Sequence, residues 1–250
     1  MGKTRLDRVM VGRGLAETPE QAQALIMAGK VKLPGFPGPG RPSPGMMVRT
    51  DQEITVRKRS KYVSRGGDKL EHALAAFGID PAGMVALDVG ASTGGFTDCL
   101  LQHGALKVYA VDAGRGQLHS KLRADPRVVS MEKINARNAF SLPEKADLLV
   151  ADVSFISLRL VLGPSLAHLK PGGLAAVLVK PQFEAEAREV GPGGVIKDPQ
   201  VHAAVLGRMV KWAVETGIRI RSLTSSPVLG DEGNREFFLL LEPESAAGGA

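Results

Sequence analysis

Four polar residues, widely separated along the chain, have side chains that could position or move a proton: Lys69, Asp152, Lys180 and Glu236. Asp152 closes the apolar run Leu148-Leu-Val-Ala, Lys180 closes Ala175-Ala-Val-Leu-Val, and Glu236 precedes Phe237-Phe-Leu-Leu-Leu. In a parallel sheet, ligands sit at the carboxyl ends of the strands. Asp152 and Lys180 belong at that edge. If the strand after Glu236 runs antiparallel, its start lies there too. Lys69 is expected in the first turn of a helix that runs back down the sheet, so it also reaches that edge. Two lysines and two carboxylates brought together suit the handling of a weak hydroxyl nucleophile. A lysine held neutral by partial burial and a neighbouring cation can take the proton, and a charged one can orient the oxygen. Lys180 is the candidate for this role, with Lys69 as the nearby cation and Asp152 and Glu236 as orienting groups. The carboxylates oppose loss of the lysine proton, so positioning alone is an equally open reading. Taken singly, each residue reads as an ordinary surface ion-pair partner, and the argument rests on the shared edge.

A second constellation is the run Asp88-Val-Gly-Ala-Ser-Thr-Gly-Gly-Phe-Thr-Asp98, which follows an apolar strand and leads into a helix. Glycines let a backbone approach a ligand, and a helix start offers free N–H groups. A dinucleotide fingerprint reads Gly-x-Gly-x-x-Gly, and this loop does not. An acid two residues before the first glycine and a glycine pair at 94 and 95 are similar to the loop of methyltransferases. Asp112 ends the next strand, where an acid can accept hydrogen bonds from a ribose diol. The candidate cofactor set is Asp88, Gly90, Ala91, Ser92, Thr93, Gly94, Gly95, Phe96, Asp112 and Asn135, and the cofactor expected there is S-adenosyl-L-methionine.

These residues need a frame. From residue 67 the pattern alternates helix and strand, with strands expected at Val85–Val89, Lys107–Asp112, Val128–Met131, Asp147–Asp152, Leu174–Lys180, Ile218–Ser225 and Glu236–Leu241. Helices are expected over about 67–77, after Gly94, near 117–123, 158–169 and 199–216. Alternation implies a parallel sheet covered on both faces. The final two strands have no helix between them and should be antiparallel. The fold class is therefore α/β, a Rossmann-like sheet with an antiparallel last strand, preceded by a small α+β domain. The domains read as 1–57, a basic linker over 58–66, and 67–245. The stretch 33–47 is dense in proline and glycine and reads as an extended loop.

Lys+Arg outnumber Asp+Glu by 32 to 26 in 250 residues, which is compatible with a polyanionic partner. The single cysteine, Cys99, excludes an intramolecular disulfide and an all-cysteine zinc site, and no metal is expected. No apolar run approaches the roughly 20 residues of a membrane span. No signal peptide is evident, so the expected location is cytoplasmic, without a membrane partner. The oligomeric state is left open.

The tetrad Lys69, Asp152, Lys180 and Glu236 resembles that of FtsJ-like ribose 2′-O-methyltransferases. The words Ser64-Arg-Gly-Gly-Asp-Lys-Leu70, Ala151-Asp-Val-Ser-Phe-Ile-Ser157, Lys180-Pro-Gln-Phe-Glu184 and Ser226-Pro-Val-Leu-Gly-Asp-Glu-Gly-Asn-Arg-Glu236 resemble the TlyA family more closely. The resemblance implies methylation of cytidine 2′-hydroxyls in rRNA, with rRNA or a ribosomal subunit as partner. The same family is commonly labelled haemolysin. The N-terminal words Arg5-Leu-Asp-Arg-Val-Met-Val-Gly-Arg-Gly-Leu15 and Ala22–Val31 resemble an S-four-type RNA-binding domain, two helices backed by a small sheet. Arg5, Arg8, Arg13, Lys30 and Lys32, with Arg65 of the linker, would meet phosphates. Thr18-Pro19-Glu20 departs from the family's usual Ser-Arg. Three other readings remain: a membrane-active haemolysin, a non-catalytic RNA-binding protein, and a nicotinamide oxidoreductase, which the missing fingerprint opposes.

Overall fold

The computed structural model describes residues 2–35, 42–56, 61–230 and 232–244. Most of the expected linker's basic start (residues 58–60), the middle of the Pro/Gly-rich loop, Asp231 and the C-terminal tail lie outside the described residues. The chain forms two compact units, residues 1–59 and 60–250.

The first unit contains β1 (Lys3–Arg5), α1 (Leu6–Gly12), α2 (Pro19–Met27), β2 (Val31–Lys32), β3 (Met47–Arg49) and β4 (Thr55–Val56). Strand β1 pairs antiparallel with β3, and β2 with β4. Residues 47–56 thus hold two short strands, separated by a turn at Thr50-Asp51 and paired to different partners. Leu6, Met10, Ala22, Ile26, Val31 and Val48 close the core. Thr18-Pro19-Glu20 is a helix start. Thr18 Oγ1 accepts from Gln21 N at 3.2 Å, and Pro19 is the first helical residue, where its missing N–H costs nothing.

The second unit runs α3 (Arg65–Phe77), β5 (Val85–Val89), α4 (Gly95–Gln102), β6 (Lys107–Asp112), α5 (Ser120–Arg123), β7 (Val128–Glu132), β8 (Ala146–Ala151), α6 (Leu158–Leu166), β9 (Leu169–Val179), α7 (Pro181–Glu184), α8 (Pro199–Glu215), β10 (Ile218–Ser225) and β11 (Phe237–Pro243). Its seven strands order as β10-β11-β9-β8-β5-β6-β7. Strands β5 to β9 are mutually parallel, whereas β11 is antiparallel to both β9 and β10. Alternate residues face opposite sides of the sheet, and the central strands are buried on both sides, whereas the edge strands β7 and β10 are partly exposed. Leu87, Val177 and Val179 pack under α6 and α8 through Leu162, Val205 and Met209. Ala86, Ala176 and Leu178 pack under α3 and α4 through Leu70, Leu74, Phe96 and Leu100.

Helix α3 starts at Arg65, two residues ahead of the expected start, so Lys69 lies in its second turn rather than its first. Gly66 and Gly67 look like helix breakers, but packing overrides their propensity. A Cβ on Gly67 would stand 2.1 Å from the Tyr62 ring, and one on Gly66 would be 3.4 Å from Phe96. Tyr62, expected in the linker, is buried in the core of this second unit.

Candidate active site

The carboxyl edge of the sheet carries two ion pairs. Lys69 Nζ donates to Glu236 Oε2 at 2.5 Å, and Lys180 Nζ lies 2.6 Å from Asp152 Oδ1. Lys180 Nζ also donates to Ser154 Oγ at 2.7 Å. The Asp152 contact is an ion pair without hydrogen-bond alignment, since Oδ1 has no such partner. The topology explains the convergence. Phe237 of β11 pairs with Val179 of β9, so Glu236 and Lys180 stand side by side just past that pair. Asp152 N donates to Val89 O, which fixes the end of β8 against β5. Two glycines make room at this edge, one for the Glu236 carboxylate and one for the Asp152 backbone. A Cβ on Gly230 would come within 2.7 Å of Glu236 Oε1, and one on Gly90 within 2.7 Å of the Asp152 carbonyl.

The glycine-rich loop is packed as tightly against protein as it is shaped for a ligand. Gly94 has φ 94°, and a Cβ there would lie 2.2 Å from Leu122 Cδ1. A Cβ on Gly95 would lie 2.2 Å from Ser64 Oγ and 3.0 Å from Gly67 N. Gly95 therefore abuts the glycine pair of α3, which ties the Lys69 helix to the loop by backbone contact. Asp98 is buried and accepts from Val63 N at 2.9 Å, fastening residues ahead of α3 to the same loop. Phe96 stacks near Phe238, with ring centroids 6.0 Å apart. Ser92 and Thr93 are exposed, while Ala91 is buried.

Asp112 accepts from Ser92 N at 2.8 Å through Oδ2 and from Gly114 N at 2.6 Å through Oδ1. Each carboxylate oxygen keeps a second lone pair. A small cavity lined by Ala91, Ser92, Asp112, Gly114, Gln117 and Leu118 opens beside it. Asn135 is exposed, and its Oδ1 accepts from Arg137 N. It follows Ile134, whose N–H reaches Asp112 O, but it does not line that cavity. Asp88 is fully buried. Its Oδ2 accepts from Thr97 Oγ1 at 2.6 Å, and its Oδ1 has no partner. Burial, with the negative charges of Asp152 and Asp112, pushes its carboxyl up to about 7. A cavity bordered by the glycine-rich loop and by an acid with free lone pairs fits a ligand that carries a ribose diol, as S-adenosylmethionine does.

Several residues inside the quoted words have structural roles that pattern reading passed over. Glu184 is buried and caps α6: its Oε1 accepts from Leu158 N at 2.5 Å and its Oε2 from Ser157 Oγ at 2.7 Å. Asn234 is buried and joins two loops, with Oδ1 accepting from Ile196 N and Nδ2 donating to Gly194 O, both at 2.9 Å. Phe155 is 88% exposed beside the Asp152 and Lys180 pair and has φ 62°, a backbone conformation rare for a bulky residue. Its ring lies 5.2 Å from that of Phe183. Cys99 is no nucleophile, because burial pushes its thiol up to about 12.

In the first unit, Arg8 and Lys32 are exposed and Lys30 is half-buried. The Arg5 guanidinium grips Asp7 through Nε at 3.1 Å and Nη2 at 2.6 Å. Arg13 donates to the carbonyls of Gln52, at 2.6 Å, and Thr50. The hydrogen bonds of both arginines are partly spent within the unit. Arg65 is exposed at the first position of α3. No group of side chains suited to holding a metal ion occurs among the described residues. Among them, no helix is long and apolar enough to cross a membrane.

Comparison with known proteins gives concordant results. A model of FtsJ-like methyltransferases matches residues 62–242. The chain is 43% identical over 245 residues to a protein of Mycobacterium tuberculosis named 16S/23S rRNA (cytidine-2′-O)-methyltransferase TlyA, covering 97% of this chain and 91% of that one. It is 40% identical over 236 residues to Hemolysin A of Brachyspira hyodysenteriae, covering 93% and 97%. A solved chain from Streptococcus thermophilus, also under the hemolysin label, superposes with a TM-score of 0.74 at 41% identity, covering 99% of this chain and 92% of its own.

Proposed function

The chain belongs to the FtsJ-like methyltransferase family, and from that premise we propose that it methylates cytidine 2′-hydroxyls of rRNA in the cytoplasm, using S-adenosylmethionine. The observation that carries this reading is the pair of lysine–carboxylate contacts on the same sheet edge as the cofactor loop. Bound there, S-adenosylmethionine supplies an electrophilic methyl group on a sulfonium sulfur. The residues of the chain do the rest. Asp112 receives the ribose diol, and the 88–96 loop shapes the floor beside it. Lys180, donating to Ser154 and held by Asp152, keeps a third direction for the attacking oxygen. The Asp152 carboxylate, the acceptor of the Lys180–Asp152 pair, would take the hydroxyl proton, while the methyl group would pass to the hydroxyl oxygen with loss of its bond to sulfur, leaving a neutral thioether. Lys69 and Glu236 fix the adjoining wall. Most of the acceleration in this arrangement comes from alignment of the hydroxyl with the methyl group. Phe155 offers an open aromatic face to a base of single-stranded RNA.

Residues 1–57 act in this proposal as an RNA-binding module of the S-four type, with Arg5, Arg8, Arg13, Lys30 and Lys32, joined by Arg65, meeting phosphates. Such contacts position the RNA without reading sequence. Mapping 2′-O-methyl groups on rRNA from cells with and without the protein tests the activity, and an unchanged map refutes it. Alanine at Arg8 and Lys32 should lower the dependence of RNA affinity on salt by about one to two log units per log unit of salt. An unchanged slope would remove these residues from the interface.

A further inference from the structure

We propose that Ser154 is a positioning residue for the transfer: its hydroxyl holds the tip of Lys180 out of full alignment with Asp152, so that one lysine N–H and one carboxylate oxygen stay open to the ribose hydroxyl. The inference rests on the methyltransferase reading above and adds to it a residue outside the two ion pairs.

Two segments of the carboxyl edge lie side by side. One is 152–158, leading from β8 into α6, and the other is 180–184, Lys180 with α7. Their side chains meet in order along the chain. Lys180 Nζ donates to Ser154 Oγ at 2.7 Å, the Phe183 ring lies 5.2 Å from that of Phe155, and Glu184 accepts from Ser157 Oγ at 2.7 Å and from Leu158 N at 2.5 Å. The Phe155 backbone, at φ 62°, bends the chain just after Ser154. A bulky residue in that conformation is costly, and such outliers persist where their surroundings over-determine them. Here the contacts on either side, at 154 and at 157–158, do so.

The charge of a lysine sits on a flexible four-carbon stem. Pairing of β9 with β11 fixes the backbone as far as Val179, and beyond it the Lys180 tip needs partners of its own. Asp152 Oδ1, 2.6 Å away, attracts it but is not aligned to accept from it. Ser154 Oγ supplies an aligned acceptor. An ammonium has three donors and no acceptor. With Ser154 occupying one donor, another is left to face the ribose hydroxyl, and Asp152 Oδ1 keeps its lone pairs for the hydroxyl proton. Without the serine oxygen, the ammonium would turn onto Asp152 and fill the oxygen that the reaction needs. The fold has little stake in the same hydroxyl. Ser154 is exposed, and Lys180 keeps Asp152 as its counter-charge when the hydroxyl is gone.

The test compares the full-length wild type with Ser154→Ala and Ser154→Thr in single-turnover methyl transfer to rRNA that lacks the modification, with S-adenosylmethionine saturating. Ser154→Ala should lower the rate at saturating RNA by about tenfold to a hundredfold, with the half-saturating RNA concentration within about threefold of wild type. Ser154→Thr, which restores an oxygen at the same place, should recover the rate to within about threefold. Calorimetry should find cofactor affinity unchanged in both variants, and Tm within about 2 °C of wild type. A structural role would move stability, and a role in gripping RNA would move half-saturation instead of the rate. A near-wild-type rate in Ser154→Ala overturns the proposal. So does a loss that Ser154→Thr does not recover, or one accompanied by a fall in Tm, in cofactor affinity or in RNA affinity. A wild type that transfers no methyl group overturns the methyltransferase reading itself, and this proposal with it.

Discussion

Removing Glu236 should damage stability as much as activity. Its side chain is 3% exposed and that of Lys69 is 9% exposed, with 2.5 Å between Nζ and Oε2. Glu236→Ala would leave the Lys69 ammonium enclosed without its counter-charge. Breaking a buried pair from one side costs about 3–5 kcal/mol, whereas replacing both partners by apolar groups of similar volume is often neutral. For a unit of this size, 1 kcal/mol corresponds to about 2–4 °C in Tm. Glu236→Ala should therefore lower the Tm by about 6–20 °C, whereas Lys69→Met combined with Glu236→Leu should stay within about 3 °C of wild type and yet transfer no methyl group. Calorimetric unfolding of the ligand-free protein, with the two single variants and the double, completes the cycle. A Glu236→Ala variant less than about 1 kcal/mol below wild type, or a double as unstable as either single, would show that the pair is not the enclosed ionic contact described.

Three further outcomes are expected. Lys180→Ala should abolish methyl transfer while leaving cofactor affinity nearly unchanged, as read by single-turnover assay and calorimetry, and near-wild-type turnover would move the chemistry away from this lysine. Phe155→Gly should raise stability by about 1 kcal/mol by relieving the left-handed backbone, while kcat/KM for RNA falls about tenfold or more through loss of the aromatic face; unchanged RNA kinetics would dismiss the stacking role. Glu184→Ala should cost about 2 kcal/mol in chemical denaturation, since it strips the donors at the start of α6 of their charged acceptor, and a cost of a few tenths would mean that Ser157 and water suffice.

The sheet was legible because its central strands are short apolar runs buried on both sides, while the edge strand Ile218–Ser225 shows a period-two alternation. Val85–Val89, Lys107–Asp112 and Ile218–Ser225 have the bounds read from sequence. Strand β9 starts at Leu169 rather than Leu174, because pairing with β8 continues past a register shift that Pro171-Gly172-Gly173 disguises as a turn. Helix α6 ends at Leu166, three residues short of expectation, with Pro164 inside it. The four tetrad residues could be placed together because strand ends and strand direction are one-dimensional facts. Their pairing was not readable, since which lysine meets which carboxylate depends on side-chain reach across β8, β9 and β11. The sequence suggested Lys69 as a cation beside Lys180, but in the fold each lysine has its own acid. The roles of Glu184, Asp98 and Thr97 were hidden for a related reason. Glu184 and Asp98 meet partners far along the chain, Ser157 and Val63, and Thr97 meets Asp88 across the strand-to-helix turn, so none of these contacts is visible before the fold is known.

The contact between Gly95 and the glycine pair of α3 has a genetic consequence. A single methyl group at position 95 would collide with Ser64 and the backbone of Gly67, and one at 67 with the Tyr62 ring. The helix that carries Lys69 would have to lift off the loop, by a distance comparable to one covalent bond. A screen for inactive alleles should therefore return small substitutions such as alanine or serine at Gly67 and Gly95 as readily as changes at the lysines themselves. Those alleles would retain every reactive side chain, and a catalogue of lesions confined to reactive residues would misread them as silent.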